Sequence, residues 1–229
     1  KSTKLIVIRQ STEPQKVNIN DKEKIITFVG KLNKAKGYDV FGSAIIEILN
    51  KFKDWKAIVI GDEEREKITF NHERLEIKGF KKHKDVINIL KKTNIAVVCS
   101  RWQEPFGRTS LEASSCGCAV IITKRGGLPE TITNGIILEN LSKNILYNSI
   151  HNLILNKKYR KELQQLSIKN FNLTHTNASN LVDTYRNDIL KNINKFLETS
   201  NKKLKILHVT NFNERHNGRL FYNTGKRIN

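Results

Sequence analysis

Short β-branched runs recur along this chain, and the gaps between them have room for helices. That alternation constrains the fold more than any other feature. The runs that read as strands are Leu5–Ile8, Ile25–Val29, Lys56–Ile60, Leu75–Lys78, Ile95–Cys99, Ala119–Ile122 and Ile136–Leu138. Several are apolar on consecutive residues, as in strands buried on both faces. The clearest helix begins near Tyr38, with Val40, Phe41, Ala44, Ile45, Ile48, Leu49 and Phe52 on one face. Another covers His83 to Lys91, and a third runs from Gly107 to a glycine stop at Gly117. Beyond residue 140 the pattern is helical: Ser142–Asn156, Lys158–Asn170 and Asn177–Thr199, the last carrying Leu181, Val182, Tyr185, Ile189, Ile193 and Phe196. The expected architecture is α/β, a Rossmann-like doubly wound parallel sheet with C-terminal helices. In such sheets ligands bind outside the carboxyl ends of the strands.

The pattern then restarts. Asn201-Lys202-Lys203 reads as a linker, and Leu204–Thr210 as a fresh strand followed by a polar loop to Gly218. Either this strand joins the existing sheet or it opens a second domain; the second is the expected arrangement. Methionine is absent from the 229 residues, so Lys1 is expected to be a cut or mature end, with a further portion upstream.

Composition narrows the chemistry. Lys and Arg number 41 against 22 Asp and Glu, a formal net charge of +19. Such a balance favours anionic partners, whether nucleotides, nucleic acid or an acidic membrane face. Lysine, asparagine and isoleucine are abundant throughout, so most of these lysines read equally as solvated surface. The three cysteines, Cys99, Cys116 and Cys118, are odd in number and clustered. This is no disulfide framework and points to a reducing, cytoplasmic setting. The C-x-C spacing of Cys116 and Cys118 with no histidine pair nearby reads as two core thiols rather than a zinc site. No apolar run approaches the ~20 residues of a membrane span.

Three loops at strand ends carry the candidate chemistry. In the first, Phe28-Val29-Gly30-Lys31-Leu32-Asn33-Lys34-Ala35-Lys36-Gly37, a buried strand ends at Gly30 and a basic loop leads into a helix. Gly30 allows close backbone approach, and Lys31 and Lys36 stand where an anion would bind. A plain basic loop is the alternative. The second loop follows Ile95–Cys99 and contains Glu104-Pro105-Phe106-Gly107-Arg108-Thr109-Ser110-Leu111-Glu112. Pro105 keeps Glu104 out of the helix. The helix beginning near Gly107 offers free backbone N–H groups, a ready anion site.

Charge assigns the two glutamates. A carboxylate beside a diphosphate would be repelled, so phosphates should meet Lys31, Lys36 and the helix N-terminus. Carboxylates suit hydroxyl donors, and two of them beside an anion site describe a nucleotide bearing a sugar. The alternative makes Glu112 an ordinary first-turn glutamate favoured by the helix dipole and Glu104 an exposed loop residue. The third loop, Lys124-Arg125-Gly126-Gly127-Leu128-Pro129-Glu130, either floors the same pocket or is an ordinary strand-to-helix turn.

Taken together these segments resemble the C-terminal domain of GT-B glycosyltransferases, specifically the retaining family 4 (glycosyl transferases group 1). The resemblance covers residues 5 to 198. It rests on G-K-L…K-G (Gly30, Lys31, Leu32, Lys36, Gly37), E-P-F-G with a second glutamate eight residues on, E-A-x-x-C-G-x-A-V-I from Glu112 to Ile121, and G-G-L-P-E from Gly126 to Glu130. The resemblance implies that Lys31 and Lys36 hold the donor diphosphate, Glu104 the hydroxyls of the transferred sugar and Glu112 the ribose. The backbone around Phe106, Gly107, Arg108 and Thr109 would meet sugar and phosphates, and the Gly79-Phe80 turn would meet the base. Glu104, Lys36 and Lys31 would serve catalysis. Lys31 stands where the family usually has arginine, so the bidentate fork is lost there.

Residues 1–20 resemble the connection between the two GT-B domains, residues 21–199 the nucleotide-sugar-binding domain, and residues 200–229 a linker and the start of a second glycosyltransferase N-terminal domain. The implied activity is transfer of a hexosyl unit from a UDP-, GDP- or ADP-sugar to a glycan or lipid acceptor. It needs no metal and no other cofactor, and it is inactive in this piece alone. The partner would be an N-terminal GT-B domain carrying the acceptor site, with room for peripheral contact at the inner membrane face. Two other classes remain in view: a non-catalytic sugar-nucleotide-binding module and a basic nucleic-acid-binding domain. The latter needs aromatics interleaved with a basic stripe. Aromatics make up 7% and fall mostly at apolar periodic positions, so nucleic acid is not an expected partner.

Overall fold

The computed structural model describes residues 6–199, with only the backbone described for residues 193–199. The expected strand Leu204–Thr210, and the tail 200–229 as a whole, lie outside the described residues. The chain divides into two units after Asp183, and the first of them carries the sheet.

Six parallel strands form one sheet in the order β3-β2-β1-β4-β5-β6. They are β1 (Glu23–Val29), β2 (Lys56–Ile60), β3 (Leu75–Ile77), β4 (Thr93–Val98), β5 (Ala119–Thr123) and β6 (Ile136–Leu138). The helices are α1 (Tyr38–Lys51), α2 (His83–Lys92), α3 (Arg108–Ser115), α4 (Lys143–Leu155), α5 (Lys157–Lys169) and α6 (His175–Thr199). The consecutive apolar runs appear where both faces are covered: β5 is buried along its whole length, and β1, β2 and β4 almost so. On one face Phe41, Ile45 and Ile48 of α1 pack with Leu146, Ile150 and Leu153 of α4 against Ile26, Phe28, Val59 and Val97. On the other, Val86, Ile87 and Leu90 of α2 and Ala113 of α3 pack against Ile25, Ile58, Ile60 and Ile122. Each such large side chain, fully buried, contributes about 1.5–3 kcal/mol.

The helix stops follow local chemistry. After α3 the Gly117 N–H bonds Ser114 O at 2.9 Å and the Cys118 N–H bonds Ala113 O at 3.0 Å, the paired bonds of a Schellman ending. All three cysteines are buried and free, and burial pushes the Cys99 and Cys116 thiols up to about 12. Helix α4 ends against Arg160 of α5. That guanidinium donates to the carbonyls of Leu153 and Ile154 and lies 5.2 Å from the Trp55 ring centroid.

One expected strand does not form. Residues 6–8 join no ladder, and Val7 is 79% exposed. Val7 and Ile8 instead line a shallow groove with Leu173, Ala178 and Leu181, so the apolar run meets a helix start rather than a sheet edge. The apolar stripe of α6 also departs from the usual buried helix face: Leu181, Val182 and Ile189 are 37%, 47% and 52% exposed.

At the amino edge of the sheet Lys22 is 9% exposed. Its ammonium donates to the carbonyls of Leu90 (3.3 Å), Lys91 (3.2 Å) and Thr93 (2.8 Å), closing the end of α2. Replacing Lys22 with methionine keeps the stem and strands these carbonyls. The K22M chain is expected to lose about 2 kcal/mol. Urea unfolding should show this as a lower midpoint with an unchanged slope.

Candidate functional site

Strands β1 and β4 are adjacent, yet their outgoing helices α1 and α3 lie on opposite faces of the sheet. The connections therefore part at the carboxyl edge and leave a crevice. A cleft of about 330 Å³ lies there, lined by Phe28 and Val29 at the end of β1 with Gly30 just beyond, Val98 at the end of β4 with Ser100 just beyond, Lys36, the segment Glu104–Thr109, and Gln10. Of the residues expected in the site, Gly30, Lys36, Glu104, Phe106, Gly107, Arg108 and Thr109 line this cleft. Lys31, Phe80 and Glu112 do not. Lys31 is exposed on the first loop, and Phe80 is 75% exposed beyond β3.

The pairing inside the cleft was not legible in the sequence. Lys36 Nζ donates to Glu104 Oε1 at 2.5 Å, with the carboxylate 11% exposed. Glu104 is therefore no exposed loop residue. Its loop is held from two sides. From below, the Gly127 N–H donates to Glu104 O at 2.7 Å and the Gly126 N–H to Gln103 Oε1 at 2.6 Å. Gly126 has φ +53°, and a Cβ there would stand 2.2 Å from Glu104 O. The double glycine of the third loop is thus a support for Glu104, and only glycine meets both the left-handed backbone and the close approach.

From the side, the first loop is lashed to the second. The Arg101 and Trp102 N–H groups both donate to Ala35 O, at 2.8 and 3.1 Å. The Arg101 guanidinium takes Asp39 bidentately at 2.6 and 2.9 Å and donates to Lys34 O at 2.6 Å. At Gly37, φ +73°, a Cβ would stand 2.0 Å from Cys99 O.

Helix α3 starts at the cleft with Gly107 as N-cap and no side-chain cap on its free N–H groups. No acidic residue stands in its first turn, so the start of the helix is open to an anion. The helix is anchored beneath by Ser110, which donates to Gly107 O at 2.8 Å and meets Thr131 Oγ1 at 2.6 Å. Glu112 lies one turn further in and is 7% exposed. It is neither a first-turn nor a surface glutamate. Its Oε1 accepts from His83 Nε2 at 3.1 Å and from Arg108 Nη2 at 3.4 Å. Sequence reading missed His83, Gln10 and Ser100. Ser100 had a signal, since it stands just past the end of a strand; His83 and Gln10 come from segments whose approach to α3 and the cleft depends on tertiary packing.

A switch-point cleft with an open helix start, a half-buried lysine–carboxylate pair and glycine-supported loops defines a doubly wound α/β protein built to hold a ligand at its carboxyl edge. Residues 9–170 match the family model described as "Glycosyl transferases group 1", and the chain belongs to that family. Spore coat protein SA of Bacillus subtilis is 28% identical over 191 residues, covering 71% of this chain and 48% of that protein. The C-terminal domain of LpcC, a glycosyl transferase group 1 family protein from Francisella tularensis, is 28% identical with a TM-score of 0.54, covering 66% of this chain and 85% of that domain. HepE of Anabaena in complex with UDP-glucose shares the fold, with a TM-score of 0.57 at 20% identity, over 72% of this chain and 49% of that one. The chain spans about half the length or less of the curated relatives it matches. The sheet order and these neighbours make the fold one Rossmann-like half of a GT-B glycosyltransferase. Among the described residues no helix is long and apolar enough to cross a membrane.

The Arg101–Asp39 pair gives a pH test of the loop lashing. Burial raises the Asp39 pKa, but the hydrogen bond and charge of Arg101 outweigh it and hold the carboxyl below its usual value. The pair therefore stabilises the fold above the unfolded pKa near 3.9 and loses that contribution as pH falls through the folded pKa. The D39N chain should be less stable than wild type at pH 7 by about 0.5–1 kcal/mol. Thermal melts should show the gap closing as pH falls below the unfolded pKa and through the lowered folded one.

Proposed function

We propose that this chain is the C-terminal, donor-binding half of a retaining family 4 glycosyltransferase, transferring a hexosyl unit from an NDP-sugar to a glycan or lipid acceptor. The observation that carries this reading is the Lys36–Glu104 pair facing the open start of α3 in one cleft. The donor diphosphate would lie against the free N–H groups of Arg108 and Thr109 and take the ammonium of Lys36, with Lys31 reaching in from the loop above. Glu104, released from its full pairing with Lys36, would accept hydroxyls of the transferred sugar. Glu112 would accept the ribose hydroxyls, and the Gly79-Phe80 turn would border the base. Gly79 supports the last point, because a Cβ there meets nothing within 4 Å and leaves the backbone open.

As the bond from anomeric carbon to phosphate breaks, charge grows on the departing diphosphate. Lys36 and the α3 N-terminus are already in place to stabilise it, and they supply this without a metal. Complexes of HepE with UDP-glucose and with UDP, and of a TarM mutant with UDP among its ligands, favour a uridine donor over the GDP and ADP alternatives. On this reading residues 1–20 are the connection between domains, residues 21–199 the donor domain and residues 200–229 the start of a further domain. The acceptor site lies on the partner N-terminal domain, so this piece alone binds donor without turnover. The whole enzyme works in the cytoplasm, and its excess of cations suits an anionic glycan or the inner membrane face.

Titration calorimetry with UDP-, GDP- and ADP-sugars tests the proposal. One of the three should bind the wild-type chain, and K36A should weaken that binding about tenfold through loss of a charge-assisted hydrogen bond. A folded chain that binds none of them overturns it.

A further inference from the structure

The enclosed carboxylate of Glu112 has two partners, and both end on the same oxygen. Oε1 takes His83 Nε2 and Arg108 Nη2; among the described residues nothing donates to Oε2. The two partners differ in kind. Arg108 precedes Glu112 by one turn on the same helix, is 69% exposed and reaches it at 3.4 Å. Such an i,i+4 pair moves with α3 and contributes little to its orientation. His83 is the first residue of α2, so its bond at 3.1 Å joins the carboxylate to a different element. It also stands three residues after Phe80, on the same connection as the open Gly79 backbone.

We propose that His83 is a positioning residue for Glu112: the ring pins Oε1 and presents Oε2 to the 2′,3′-diol of the donor ribose. The inference rests on the donor-site reading above and deepens it by naming what selects ribose. The Nε2–H tautomer donates to Oε1, which fixes the carboxylate plane. The diol then meets an acceptor already oriented, and less ordering remains to be done on binding. Without the ring the carboxyl group keeps only the long bond from the exposed Arg108 side chain and is less firmly oriented about its last torsion. His83 is not a packing residue: its side chain is 60% exposed, and Lys82, not His83, holds the N-cap position of α2, where no side-chain cap forms. Its removal therefore leaves the core intact.

The test compares UDP, GDP and ADP with their 2′,3′-dideoxy counterparts by calorimetry on the wild-type chain, H83A and H83Q. The wild type should prefer the ribose form of the diphosphate it binds by about tenfold. In H83A that preference should fall to about threefold or less, with affinity for the dideoxy form unchanged and the melting temperature within a degree or two. H83Q, whose amide N–H can replace the ring donor, should restore the preference. A merely structural role would weaken both forms alike. H83A with the wild-type preference overturns the positioning role and leaves the donor reading standing. A wild-type chain that binds diphosphates without any preference removes the ribose role of Glu112 and this inference together. A folded chain that binds no diphosphate removes the donor reading itself.

Discussion

The site depends on β1 and β4 lying side by side while the chain leaves them in opposite directions. Ile26, Thr27 and Phe28 pair in parallel with Ile95, Ala96 and Val97. Beyond that ladder, the path after β1 turns toward the face carrying α1 and α4, and the path after β4 toward the face carrying α2 and α3. Two strands whose connections diverge cannot fill the space between them with their own loops. The crevice is thus a consequence of strand order: β2 lies on one side of the β1–β4 pair and β5 on the other, and right-handed crossovers running in opposite directions lie on opposite faces. The residues that close it then decide what it can hold.

Those residues are held rigidly, and by backbone more than by side chains. The Glu104 loop rests on Gly126 and Gly127, and the Lys36 loop is tied to the second loop through Ala35 O, which accepts from the Arg101 and Trp102 N–H groups. Lys36 and Glu104 then meet from two loops whose positions are already set. An enclosed ion pair is seldom a net source of stability, because desolvation offsets the attraction. It is better understood as preorganisation. The pair keeps a cation and a carboxylate poised in one cleft, and on the proposed donor reading an incoming diphosphate would compete with Glu104 for the lysine. On that reading the ammonium of Lys36 offsets the charge of Glu104, so a carboxylate in the cleft is compatible with an anion there.

The sheet was legible because it is simple physics. Strands buried on both faces must be apolar throughout, and β2 and β6 fall at the residues where those runs stand. The helix bounds at Tyr38, Gly107 and Gly117 follow from glycine and from apolar spacing in the same way. The run Leu5–Ile8 misled because an apolar stretch can be satisfied by a helix as well as by a ladder, and sequence does not say which surface is near. The helix α6 forms as its spacing predicts, but spacing gives an apolar face without naming a partner for it. In the site, the motif residues around Glu104 could be read because Pro105 and Gly107 punctuate the local backbone. What could not be read was pairing. Lys36 and Glu104 are 68 residues apart and His83 and Glu112 are 29 apart. Long-range pairing depends on packing that no local pattern encodes.

The two ends of the sheet divide the polar work. At the amino edge Lys22, Asn94 and Gln164 are buried and bonded to closed targets: helix-end carbonyls, the Glu23 carbonyl and the Asn94 amide. These groups complete the fold and offer little to a ligand. At the carboxyl edge the polar groups are left partly unfilled: the α3 N–H groups have no side-chain cap, and Glu112 uses a single oxygen. Burying an unfilled polar group carries an energetic cost, so a fold tolerates it where a ligand or water completes the set. Unfilled polar atoms also occur at the amino edge, where Gln164 Oε1 is buried without a partner among the described residues, so what marks the carboxyl edge is that its open groups stand beside a cleft. Substitutions at the amino edge act on stability, whereas those at the carboxyl edge act on the cleft lining and, at Asp39, Arg101 and Gly126, on the stability of its loops as well.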